Sequence, residues 1–284
     1  MITKTINLYE YFGIEKPANA RGDLAILNPG RFREYGIDRK RPAVLVMPGG
    51  GYQYTSEREA EPVAFKFLAQ GYVPFILYYS VAPATYPQAF KESAMAMVYI
   101  RENAEELGVL PSKVSAIGFS AGGHLCGCLA TLTGDSVLDF LGNKKPLAKP
   151  DACALMYPVI TSGAKSHGGS IANISGGDKE LMEFLSLEKR VSKDSVPAYM
   201  FATVNDGCVP CKNALLMACA YEENGVPFSL HILEKGTHGL SVNDVTSDTN
   251  KALQDRAPST PVNYNDWINQ LFTWLNERGF IPEN

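Results

Sequence analysis

Ser120 stands two residues after Gly118 and two before Gly122 in Gly118-Phe119-Ser120-Ala121-Gly122, after an apolar run and before a stretch able to form a helix. A serine hydroxyl is a poor nucleophile unless it stands clear of the backbone beside a base, and a tight strand-to-helix turn achieves this by straining the serine. The residues two before and two after must then be tiny, because strand and helix backbones nearly touch. Gly118 and Gly122 meet that demand, and Gly123 is expected to add slack. The competing reading is a glycine-rich turn that happens to hold a serine, or a loop that cradles phosphate. Phosphate binding is not supported, since no GxxxxGK[ST] run occurs and no GxGxxG follows a strand.

A nucleophilic serine needs a base, and the base needs an acid to hold it in one tautomer. Of the four histidines, His231 lies inside an alternating strand pattern and reads as a structural residue, while His167 falls in an irregular segment. His124 comes one turn into the helix after Ser120, where it packs, caps or touches substrate. His238 follows the last apolar strand in Gly236-Thr237-His238-Gly239, at the carboxyl edge where open α/β sheets build their sites. Asp206 leaves another strand just before Gly207 and Pro210, a setting that equally suits a helix cap. The order Ser120, Asp206, His238, each after a different strand, is the Ser, acid, His order of one hydrolase architecture and not that of the two unrelated serine-protease folds.

Pro48-Gly49-Gly50-Gly51-Tyr52 follows the apolar run Ala43 to Met47 directly. Three consecutive glycines are a flexible turn when taken alone. Beside a nucleophilic serine they offer unobstructed N–H groups to a developing oxyanion, together with the N–H of the next residue, Ala121. Tyr52 and His124 are the candidate substrate contacts.

The elements that must position these residues are short β-rich runs alternating with amphipathic stretches. Strands are expected at Leu24–Leu27, Ala43–Met47, Tyr72–Tyr79, Val114–Phe119, Ala152–Tyr157, Ala198–Val204 and Phe228–Leu233. Helices are expected at Glu57–Ala69, Gln88–Leu107, Ala121–Leu132, Cys211–Asn224 and Tyr264–Arg278. Such alternation implies an α/β fold, a mostly parallel sheet of about eight strands with helices on both faces. One domain over residues 1–284 is the simplest reading, with the Gly/Ser-rich excursion Thr161–Val196 as a small cap or a plain surface detour.

Composition narrows the function classes. The chain has 284 residues, 45% hydrophobic and 20% charged, with a net charge of −4 and no long run of either sign. Neither a nucleic acid nor an anionic membrane has an electrostatic footprint here. The most continuous apolar stretch, Tyr72 to Ala84, is shorter than the roughly 18 residues of a membrane span, and the first dozen residues lack the pattern of a secretory leader. A cytoplasmic location is therefore expected. Six irregularly spaced cysteines do not form a disulfide framework, and Cys208-Val-Pro-Cys211 lacks the second pair that zinc would need.

On the stretches Pro48–Tyr52, Gly118–His124, Asp206–Pro210, Gly236–Leu240 and Trp274–Phe280, the chain resembles the α/β-hydrolase family from about Pro42 to Phe280. The resemblance is to its esterase and lipase group, and within that to xylanase-associated or carbohydrate acetyl esterases; Pro48 stands where the group usually has His. It implies Ser120 as nucleophile, Asp206 as acid, His238 as base, and Gly50, Gly51 and Ala121 as oxyanion donors. The implied activity is that of a carboxylesterase releasing short acyl groups from a small-molecule or oligosaccharide ester, with no cofactor and no metal. A peptidase or amidase on the same fold and a non-catalytic binding module are the alternatives, and a homo-oligomer is open.

Overall fold

The computed structural model describes residues 2–30, 34, 39–244, 246, 247 and 266–283. Eight strands form one sheet: β1 (Ile2–Asn7), β2 (Asp23–Asn28), β3 (Arg41–Met47), β4 (Val73–Tyr78), β5 (Val109–Phe119), β6 (Ala152–Met156), β7 (Ala198–Thr203) and β8 (Phe228–Leu233). Their order is β1-β2-β4-β3-β5-β6-β7-β8. β2 runs antiparallel to both β1 and β4, and the neighbours from β4 to β8 are all parallel. All seven expected strands form, and β1 is an addition.

Parallel strands covered on both faces must be apolar on both, and β3 shows how. Ala43, Leu45 and Met47 enter one core cluster, whereas Val44 and Val46 enter the other. The first cluster packs under α1 (Leu8–Phe12), α3 (Gln88–Glu102), α5 (Ala121–Thr131) and α8 (Lys212–Glu223), through Leu8, Met97, Leu125 and Met217. The second packs under α2 (Glu61–Ala69) and α9 (Asp266–Asn276), through Phe67, Trp267 and Leu271. Of the helix expected over Tyr264–Arg278, residues 264 and 265 lie outside the described residues.

Three helical segments differ from expectation. The Glu57–Ala69 stretch divides into a 3-10 turn over Glu57–Glu59 and α2. The Gln88–Leu107 helix breaks at Asn103, whose side chain turns back onto the Tyr99 carbonyl at 2.8 Å, and α4 (Ala104–Leu107) follows. In the excursion, the Gly/Ser-rich segment is helical over α6 (Gly168–Ser175) and is followed by α7 (Lys179–Phe184). His167 and Asp178 cap these two helices with their side chains. Buried Ile171 and Ile174 offset the low helix propensity of Gly168 and Gly169.

Candidate active site

The turn from β5 into α5 is as tight as the sequence requires. Ser120 sits at φ 53°, ψ −115°, a conformation that L residues rarely adopt. Its N–H donates to the Met156 carbonyl, and its own carbonyl accepts from the N–H groups of His124 and Val159. A Cβ on Gly118 would lie 2.0 Å from the Gly122 carbonyl oxygen, and one on Gly122 would lie 2.1 Å from that of Met47. Gly123 gives no slack: a Cβ there would meet Pro158 at 2.9 Å.

Three side chains converge at the carboxyl ends of β5, β7 and β8. His238 Nε2 is 2.8 Å from Ser120 Oγ, and His238 Nδ1 is 2.7 Å from Asp206 Oδ2. A carboxylate only accepts, so Nδ1 carries the imidazole hydrogen and Nε2 is left to accept from the serine hydroxyl. Asp206 Oδ1 accepts the N–H groups of Cys208 and Val209, each at 2.9 Å. The capping role and the pairing role therefore belong to the two oxygens of one carboxyl. Burial pushes Asp206 up, but the hydrogen bond and charge of His238 and the two N–H groups outweigh it and hold the carboxyl below its ordinary value.

The glycine loop after β3 folds its carbonyls inward. Gly49 O accepts from Ser56, Gly50 O from Gln53 and Tyr54, and Gly51 O from the Asn173 amide. The Gly49 N–H is taken by Glu59 Oε2 at 2.8 Å. Among the described residues, the N–H groups of Gly50, Gly51 and Ala121 donate to no protein acceptor. At Gly50, φ is 122° and a Cβ would lie 2.1 Å from the Tyr54 carbonyl oxygen, so only glycine makes this turn. Where related loops carry His, the Pro48 carbonyl is held by the Tyr79 hydroxyl at 2.6 Å. Gly50, Gly51, Ser120 and His238 line one hollow of about 200 Å³.

A family model described as BD-FAE matches residues 34–220. This chain belongs to the BD-FAE family. It is 36% identical over 213 residues to endo-1,4-beta-xylanase B of Butyrivibrio fibrisolvens, covering 72% of this chain and 33% of that protein. It is 29% identical over 223 residues to acetylxylan esterase of Xylanibacter ruminicola, covering 75% of this chain and 44% of that protein. The chain thus spans between a third and a half of the length of these relatives. The crystal structure of an acetyl ester-xyloside bifunctional hydrolase from Caldicellulosiruptor lactoaceticus superposes with a TM-score of 0.80 at 30% identity, over 98% of this chain and 97% of that one. The expected α/β-hydrolase fold and the kinship with carbohydrate esterases are both borne out.

Two residues of this BD-FAE protein depart from expectation. Tyr52 and His124 do not reach the hollow. Tyr52 is 1% and His124 0% exposed, and the tyrosine hydroxyl lies 2.8 Å from His124 Nδ1. His124 Nε2 lies 2.9 Å from the Leu185 carbonyl, which only accepts, so Nε2 carries the hydrogen and Nδ1 accepts from Tyr52. Both side chains are spent on each other inside the core, and burial pushes His124 down to about 4. His231 stacks on Tyr199 at 4.8 Å.

His167 is a site-lining residue that sequence reasoning set aside. It borders the hollow with Ser120 and His238. Its Nδ1 accepts the Ser170 N–H at 3.3 Å, which leaves the ring hydrogen on Nε2. Burial and, second, the charge of His238 lower its pKa, while Asp206 raises it. Cys126, Cys128 and Cys153 are buried, Cys208 and Cys219 are exposed, and all six cysteines are free. Among the described residues no three His, Cys, Asp or Glu side chains gather as a metal-binding group.

Proposed function

We propose that this chain is a serine carboxylesterase that removes short acyl groups, acetyl foremost, from carbohydrate esters. The observation that carries the reading is the continuous hydrogen-bonded line from Ser120 Oγ through His238 to Asp206. His238 Nε2 takes the hydroxyl proton as Ser120 Oγ attacks the ester carbonyl carbon, and Asp206 stabilises the imidazolium. The Gly50, Gly51 and Ala121 N–H groups receive the oxyanion, each worth about 3 kcal/mol of barrier. When the carbon–oxygen bond of the ester breaks, His238 returns the proton to the leaving alcohol. Water then attacks the acyl-serine by the same route in reverse, releasing the acid and restoring Ser120.

The acetyl and sugar parts of the reading are supported by what the relatives are named for: acetylxylan esterase, xylanase B and an acetyl ester-xyloside hydrolase. A hollow of about 200 Å³ suits a small acyl group. Residues 161–196 act as a cap, with His167 turned to the alcohol half of the ester. The test is turnover of p-nitrophenyl acetate and acetylated xylose by wild type and Ser120→Ala, with fluorophosphonate labelling in parallel. Loss of both turnover and label in the variant supports the reading; retained turnover in Ser120→Ala defeats it.

A further inference from the structure

Glu59 is a carboxyl group that the reaction above leaves unused. It ends the short 3-10 turn Glu57–Glu59 and is 2% exposed. A carboxyl so deeply buried is strongly disfavoured as an ion unless donors surround it. Its partners are two neutral donors: the Gly49 N–H at 2.8 Å on Oε2 and the Tyr157 hydroxyl at 2.7 Å on Oε1. Tyr157 Oη in turn accepts the Ser241 N–H at 2.9 Å, which directs its own hydrogen onto Glu59. Both carboxyl oxygens therefore already accept, the arrangement a carboxylate needs.

The two ends of this relay are the two loops that must face each other across the reacting carbon. Gly49 opens the oxyanion loop, where an added Cβ would lie 3.0 Å from Ser120 Cβ. Ser241 follows His238 by three residues, and the Tyr157 ring meets the His238 imidazole edge to face at 5.1 Å. Among the described residues, the charged and titratable groups around that imidazole are Asp206 and Cys208 after β7, Tyr157 after β6, His167 at the head of α6, and Arg58 and Glu59 before α2. Asp206 and Glu59 are its two carboxyls. Burial outweighs the Tyr157 hydroxyl, the Gly49 N–H and the charges of His238 and Arg58, and holds Glu59 above its ordinary value.

We propose that Glu59 is a positioning residue: through Gly49 and Tyr157 it holds the oxyanion loop and the histidine loop in register. The inference rests on the serine-esterase reading. Glu59→Gln keeps one acceptor and loses the other, and Tyr157→Phe cuts the relay at its far end.

The experiment measures kcat and KM for p-nitrophenyl acetate in wild type and both variants, with the rate of fluorophosphonate labelling as a readout free of turnover. Each variant is expected to lower kcat about tenfold or more with KM within about threefold, and to slow labelling. An unchanged kcat in either variant, or a loss carried by KM alone, overturns the proposal. If Glu59→Gln does not fold, the Tyr157→Phe result alone decides it. A wild type that neither labels nor turns over defeats the esterase reading instead, so the two failures are separable.

Discussion

The Asn173 side-chain amide donates to the Gly51 carbonyl at 2.8 Å, fastening helix α6 to the loop whose N–H groups face Ser120. The Tyr86 N–H donates to the Ile174 carbonyl of the same helix at 2.7 Å. The segment over the site is thus tied to the groups that would bind an oxyanion. Both contacts lie in the last turn of α6, and its head is capped by a histidine side chain.

His167 occupies that head, and among the described residues its Nε2–H meets no acceptor. His167→Ala should lower the ratio of kcat/KM for acetylated xylobiose to that for p-nitrophenyl acetate by about tenfold, the worth of one hydrogen bond. His167→Gln, which keeps a donor near the same point, should restore most of it. An unaltered ratio in the alanine variant would remove His167 from alcohol recognition.

Asp206→Asn should fold, because an amide oxygen can still accept from Cys208 and Val209. Turnover should fall on the order of ten-thousand-fold, since an amide nitrogen facing Nδ1 favours the wrong imidazole tautomer. Circular dichroism alongside the acetate assay separates the two effects. Activity within a few-fold of wild type would reduce Asp206 to a helix cap.

Gly122→Ala would drive a Cβ to 2.1 Å from the Met47 carbonyl oxygen and 2.4 Å from that of Pro48. Both are backbone atoms of β3 and the oxyanion loop and cannot step aside. The urea midpoint should drop by the equivalent of about 3 kcal/mol, with activity lost. Gly134→Ala, where no atom lies within 4 Å, should move it by less than about 1 kcal/mol.

His124 gives stability a pH dependence of known sign. Its folded pKa is pushed down to about 4, below the unfolded value, so the folded state resists the proton. Its contribution is present above the unfolded pKa and is lost as pH falls toward the folded one, on the order of 3 kcal/mol across that window. Urea midpoints measured from pH 7 to pH 4.5 should fall more steeply in wild type than in His124→Gln. Parallel curves would show that the imidazole does not titrate in this way.

The line from Ser120 to Asp206 is written into short stretches of chain. Tiny residues flank the serine for a local steric reason, and the acid and base follow strands whose apolar runs are unmistakable. Direction of side chains is another matter. Tyr52 adopts φ 56° and turns into the core, which nothing in Gly-Gly-Gly-Tyr announces. His124 lies one turn beyond Ser120, but its ring faces Tyr52 rather than the hollow. Glu59 has no local signature because its partners, Gly49 and Tyr157, follow β3 and β6. β1 escapes notice because Thr3, Lys4 and Thr5 are exposed on an edge strand, and its pairing with β2 supplies what its composition does not. α6 hides behind Gly168 and Gly169, and only its cap and two buried isoleucines make it a helix.

β8 closes one margin of the sheet, and each of its six residues is partly exposed. Ser120 leaves a strand in the sheet's interior, but the imidazole that activates it hangs from this marginal one. Warming that peels the margin is expected to abolish the proposed turnover while the interior stays intact. Inactivation by this route should reverse on cooling as long as the remaining strands have not come apart.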